Sequence, residues 1–139
     1  MAIGFGDLDG DGDLDALLDA YYGRQELYKN NGSPSSPDFG VWQPEPVFNL
    51  SGNCIADFID VDGDGDLDAL CCDNDNIAYY ENTGTVLSAS FTNPVINPFG
   101  IPAGYCPHSN AVEFADIDGD GDKDVFLGES GIIYKVSKI

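Results

Sequence analysis

The chain reads as an all-β protein assembled from β-propeller blades, and three observations predict it. A nine-residue acidic segment recurs at 7–15, 60–68 and 116–124, so its first aspartates lie 53 and 56 residues apart. Self-similarity on that scale marks a solenoid, a propeller or an array. The apolar stretches around each segment are short, aromatic or β-branched, and bounded by Gly, Asn, Asp and Pro, which is a strand pattern. No stretch carries apolar residues at i, i+3, i+4 and i+7 over a helical length.

Taken in order, each acidic segment follows a first strand, at Ala2–Phe5, Ile55–Ile59 and Ala111–Ala115. A second strand comes directly after it, at Ala16–Leu18, Ala69–Cys72 and Val125–Leu127. The third carries tyrosine, at Leu27–Tyr28, Ala78–Tyr80 and Ile132–Tyr134. Turns follow at Asn30–Ser33 and Asn82–Thr85, where Asn and Gly accept positive φ. Looser proline-containing fourth elements then span Phe39–Phe48 and Phe91–Phe99. Four antiparallel strands per unit make a propeller blade. The 139 residues thus form one repeat domain, with blades at about 1–50, 51–105 and 106–139, the third lacking its fourth strand. About two and a half blades cannot close a ring of four to eight. The expectation is that further blades of a longer precursor, or other copies of the chain, cover the open ends in a ring or a filament.

The acidic segments carry the chemistry. Five carboxylates in nine residues repel one another, and two glycines leave the segment loose, unless it wraps a hard cation. Ca²⁺ takes six to eight oxygen ligands, and glycine lets the chain turn sharply around it. An EF-hand loop is excluded, because it needs a bidentate Glu at position 12 and flanking helices. That position holds Leu18, Cys71 and Leu127. A loop closed at position nine fits instead. Asp7, Asp9, Asp11 and Asp15 then bind through side chains, and Asp13 through its carbonyl. The second site is Asp60, Asp62, Asp64 and Asp68 with Asp66; the third is Asp116, Asp118, Asp120 and Asp124 with Asp122. Three Ca²⁺ sites are expected, with structural rather than catalytic ions.

The Asp-x-Asp-Gly-Asp-Gly-x-x-Asp loop, the Phe114–Ile117 stretch before it, Asp66–Leu70 after it and Tyr79–Thr85 beyond resemble the FG-GAP/VCBS repeats of integrin alpha-subunit propellers and bacterial surface proteins. The resemblance covers nearly the whole chain. It implies a propeller with calcium in the loop joining the first two strands of each blade. The namesake Gly-Ala-Pro is replaced by Leu18–Ala20, Cys71–Asp73 and Leu127–Glu129, which places the chain nearer the bacterial-type repeats, without integrin ligand specificity.

The net charge of −20, from 25 acidic and 5 basic residues, argues against nucleic acid and against anionic membrane surfaces. Fifteen of the acids sit in the three loops, and three Ca²⁺ would reduce the negative charge by six, to −14. Hydrophobic residues at 42% suffice for a core, so disorder is not the reading for the metal-loaded chain. No apolar run reaches the ~18 residues of a membrane helix. The N-terminus lacks a signal-peptide pattern, and a mature or excised segment is expected. Cys54, Cys71, Cys72 and Cys106 suit an oxidising, extracellular compartment. Cys54–Cys72 is the favoured bridge, with Cys54–Cys106 as the alternative; buried thiols are the plainer reading. A lone His108 and no Cys-x-x-Cys pair argue against zinc.

Trp42, with Phe39 and Phe48, offers either a sugar-stacking platform or blade-to-blade packing, and packing is preferred. Tyr21, Tyr22, Tyr28, Tyr79, Tyr80 and Tyr134 read as core or inter-blade contacts. Asn31 and Asn49 head glycosylation sequons, for which a chance match is the preferred reading. No nucleophile elbow, Cys–His pair or phosphate loop is present, so an enzyme is not expected. The expected function is an extracellular, calcium-stabilised structural or adhesion module that associates with copies of itself. The alternatives are a carbohydrate-binding module and an accessory domain of a secreted enzyme, with glycans or cell-surface proteins as partners.

Overall fold

The computed structural model describes residues 3–20, 24–40, 56–73, 75–101, 103–104, 111–129 and 132–138. They form three antiparallel sheets. The first has the order β1 (Ile3–Gly6), β2 (Asp15–Ala20), β3 (Arg24–Tyr28). The second runs β4 (Ala56–Ile59), β5 (Asp68–Asp73), β6 (Asn76–Tyr80), β7 (Val95–Ile96). The third comprises β8 (Ala111–Ala115), β9 (Asp124–Glu129) and β10 (Ile132–Lys138), with β9 in the middle and a bulge between Lys135 and Ser137. A 3-10 turn at Pro98–Gly100 is the one helical element among the described residues. The all-β class and the strand–loop–strand–turn–strand order hold in all three repeats. The fourth strand of the second repeat lies inside the 91–99 element, with Val95 opposite Tyr79. Most of 39–48, with Trp42, lies outside the described residues.

Registers repeat as closely as the sequence does. Phe5 faces Ala16, Phe58 faces Ala69, and Phe114 faces Val125. Side chains alternate across a strand, so each middle strand offers one set of residues to the sheet before it and another to the sheet after. β5 shows the result. Ala69 and Cys71 join Leu17, Ala56, Ala78 and Tyr80 in a core between the first and second sheets. Leu70 and Cys72 join Ile77, Tyr79, Ile101, Val112, Val125 and Leu127 between the second and third. A strand buried on both faces reads as a continuous apolar run, which is why 69–72 shows no alternation. Full burial of a side chain such as Leu70 or Leu127 stabilises by roughly 1.5–3 kcal/mol.

The first and second sheets approach closely at their first strands. A Cβ on Gly4 would sit 2.4 Å from the Ala56 carbonyl oxygen, so only glycine admits β4 at that distance from β1. Cys71 and Cys72 are both disulfide-bonded, which overturns the reading of these two as buried thiols. Their sulfurs leave the strand toward opposite cores. Cys54 and Cys106 lie outside the described residues.

The turns at 30–33 and 82–85 are each the first half of a longer hairpin. Asn30 bridges Phe39 and Ser33 bridges Ser36; Asn82 bridges Phe91 and Thr85 bridges Ser88. Asn30 and Asn82, both 2% exposed, hold these hairpins from inside. The Asn82 side-chain oxygen accepts from Gly84 N at 3.1 Å and Ser90 N at 2.8 Å; Asn30 does the same with Gly32 N at 3.1 Å and Asp38 N at 2.8 Å.

Candidate metal loops

The three acidic loops join the first and second strands of their sheets and share one internal geometry. The first aspartate folds the loop over itself. Asp7 accepts from Gly10 N at 2.7 Å and Gly12 N at 3.0 Å. Asp60 accepts from Gly63 N and Gly65 N at 2.7 and 3.1 Å, and Asp116 from Gly119 N and Gly121 N at the same distances. Smaller turns follow, with Asp9 accepting from Asp11 N at 3.3 Å and Asp11 from Asp13 N at 3.1 Å. Both glycines of each loop take positive φ, +80° and +97° at Gly63 and Gly65. Nothing lies within 4 Å of a Cβ built there, so conformation rather than space selects glycine.

This folding brings carboxylates together. Oxygens from Asp7, Asp9 and Asp11 lie within 4.8 Å of one another, as do those of Asp60, Asp62 and Asp64, and of Asp116, Asp118 and Asp120. Three like charges so close repel unless a cation joins them. Asp13 and Asp66, at 5% and 6% exposure, each keep one carboxylate oxygen buried with no hydrogen-bond partner. Burial raises both pKa values above the ordinary carboxylate range, and the neighbouring loop aspartates raise them further. A buried carboxylate without a donor, beside other carboxylates, suits a hard divalent cation with oxygen ligands. The donor set therefore fits calcium. Asp122, by contrast, is exposed.

The ninth-position aspartates are the most deeply buried, at 2% for Asp15, 1% for Asp68 and 0% for Asp124. Asp68 accepts from Val61 N at 3.1 Å, from the Tyr79 hydroxyl at 3.0 Å and from Asn82 N at 2.7 Å. Asp15 accepts from Leu8 N at 3.1 Å and Asn30 N at 2.8 Å. These carboxylates tie the acidic loop to the hairpin beyond the third strand. Burial raises the pKa of Asp15 and Asp68, outweighing the backbone donors that pull the other way. The Tyr79 hydroxyl is pushed up as well, by burial first and the Asp68 charge second.

Sequence reasoning singled out position nine but missed Asn30 and Asn82. The signal available was an Asn-x-Gly returning 15 and 14 residues after Asp15 and Asp68. It also missed Lys29, whose ammonium pairs with Asp9 at the edge of the first loop. The first site thus carries a cation of its own that the second lacks, since Glu81 occupies the matching position.

Repeated three-stranded units, each with an acidic, glycine-turned loop between its first two strands, define a class of all-β repeat protein. Residues 60–127 match the family model for the FG-GAP-like repeat, so the resemblance read from the sequence stands. Neither the curated proteins nor the solved structures compared with the chain gave a match.

Proposed function

We propose that the chain is an extracellular, calcium-stabilised structural or adhesion module of propeller blades, assembling with copies of itself. One observation carries the calcium reading. In each of three loops the carboxylates at positions one, three and five converge within 4.8 Å, and in two of them a buried oxygen at position seven has no hydrogen-bond donor. Asp7, Asp9 and Asp11, with their equivalents, would hold the ion, and Asp13 or Asp66 would complete it from the buried side. This extends the expected role of position seven from its carbonyl to its side chain. A bound Ca²⁺ would replace repulsion by attraction and fix the two glycines, so metal binding would contribute folding free energy.

The FG-GAP-like repeat supports a structural or adhesive role. The disulfide-bonded Cys71 and Cys72 support an oxidising compartment. None of the described helices is long and apolar enough to cross a membrane. The test is thermal unfolding of the full chain in calcium and in a chelator, with calorimetric titration of the chelated protein. The expectation is a clear loss of melting temperature on chelation and three binding events on return of calcium. Identical melting in both conditions overturns the calcium reading.

A further inference from the structure

The first and second acidic loops rest on one frame, yet opposite charges stand at the same point of it. In the first repeat Tyr28 lies opposite Ala16, and Asn30 N donates to the Asp15 carboxylate at 2.8 Å. In the second, Tyr80 lies opposite Ala69, and Asn82 N donates to Asp68 at 2.7 Å. The residue between these two anchors is Lys29 in the first repeat and Glu81 in the second. Both are held by the backbone on either side, so neither is placed by chance.

Lys29 reaches into the first loop from this fixed place. Its ammonium pairs with Oδ2 of Asp9, one of the three carboxylates that converge there. The other oxygen of Asp9, Oδ1, already accepts from Asp11 N at 3.3 Å, so Oδ2 is the oxygen available to a ligand, and it is buried. The ammonium is held in its charged form first by the hydrogen bond to Asp9 and then, against burial, by the charges of Asp9, Asp11 and Asp15. It therefore answers to the loop as a whole. The Lys29 side chain is 43% exposed, which leaves it a way out to solvent.

We infer that Lys29 is a tethered counter-cation of the first loop, and that it gives up Asp9 and turns to solvent when Ca²⁺ binds there. The inference rests on the calcium reading proposed above and adds a regulatory element to one of its sites. An ammonium carries one charge and meets one carboxylate, whereas a divalent ion gathers the oxygens of Asp7, Asp9 and Asp11 at once, so the exchange favours the metal. Until then Lys29 offsets part of the repulsion among these carboxylates and competes for one of them. Glu81, exposed on the same frame, does the reverse and adds negative charge beside the second loop. The two loops thus serve as internal controls for each other.

In the experiment the full chain, isotope-labelled and cleared of metal with a chelator, is titrated with calcium and followed by NMR. The amides of Gly12 and Gly65, which donate to Asp7 and Asp60, report the first and second loops. Lys29→Gln should lower the calcium midpoint at Gly12 about two- to five-fold, the range of an exposed ion pair, while Lys29→Arg keeps the wild-type value. Glu81→Lys should raise the midpoint at Gly65 by a similar factor. Unchanged circular dichroism in chelator is the folding check. A second arm needs no variant: acetylation of wild type by an N-hydroxysuccinimide ester, read by mass spectrometry, should label Lys29 faster in calcium than in chelator. Calcium that merely tightens the fold slows labelling, so a faster rate identifies release. Absence of any calcium-dependent shift at Gly12 and Gly65 overturns the calcium reading, and this inference with it. Shifts at both glycines with a Gly12 midpoint indifferent to Lys29→Gln, or Lys29 labelling no faster in calcium, overturn the exchange at Lys29 alone and leave the calcium reading standing.

Discussion

Replacing Asp68 by alanine separates scaffold from metal. Its carboxylate is 1% exposed and accepts three hydrogen bonds, from Val61 N, Asn82 N and the Tyr79 hydroxyl. Each buried donor left without an acceptor costs ~1–3 kcal/mol. The hydroxyl can turn to another acceptor, but the two amides are fixed by the backbone. The expected loss is therefore about 2–6 kcal/mol, against a typical domain stability of roughly 5–15 kcal/mol. It should appear in chelator as well as in calcium, because the donors belong to the protein. Urea unfolding of wild type, Asp68→Ala, Tyr79→Phe and the double variant measures it. Tyr79→Phe alone should cost about 1 kcal/mol, and close to nothing in the Asp68→Ala background. Asp60→Ala is the contrast: it removes a converging carboxylate, so it should weaken calcium binding with a much smaller effect in chelator. A loss below 1 kcal/mol for Asp68→Ala in chelator, with calcium affinity reduced as in Asp60→Ala, would refute the scaffold role.

Other outcomes follow from the same geometry. Asp15, Asp57 and Asp68 have pKa values raised above 3.8, chiefly by burial, so the folded state binds more protons than the unfolded state just above that pH. Their contribution is therefore present at low pH and lost as pH rises through the folded values; in chelator the urea midpoint should be higher at pH 5 than at pH 7, and the reverse order counts against the assignment. Gly65→Ala forces a side chain to φ +97° and should cost about 1–2 kcal/mol in urea unfolding. Leu127→Ala, at 0% exposure between the second and third sheets, should cost about 2–5 kcal/mol by the same measurement. Lys29→Ala removes the ammonium paired with Asp9, and calorimetry should find one of three calcium affinities tightened about two- to five-fold, the range of an exposed ion pair.

The strands and acidic loops were legible because they repeat. A register seen three times, with Phe5, Phe58 and Phe114 in matching places, constrains far more than one apolar stretch would. Position nine was legible as a candidate ligand, but the hydrogen bonds that Asp15 and Asp68 accept were not. An aspartate in an acidic run has the same letter whether it faces a cation or a pair of backbone amides, and Asn30 and Asn82 lie far along the chain from the carboxylates they meet. Local patterning also could not tell that Phe5 is half exposed while Phe58 is packed. Their neighbours in sequence are alike, and only the presence of an adjoining sheet separates them. Lys29 escaped for the opposite reason, because it breaks the repeat at a single position.

The tie from Asp68 to Asn82 places the second acidic loop and the 82–91 hairpin on one support, and the tip of that hairpin lies across Gly10 in the first loop. The two loops are thereby joined through a continuous run of protein contacts. Ions arriving at neighbouring loops would then help one another to bind. Were both loops to hold the proposed Ca²⁺ ions, the two repeats would stiffen together over a narrow span of calcium concentration rather than one at a time.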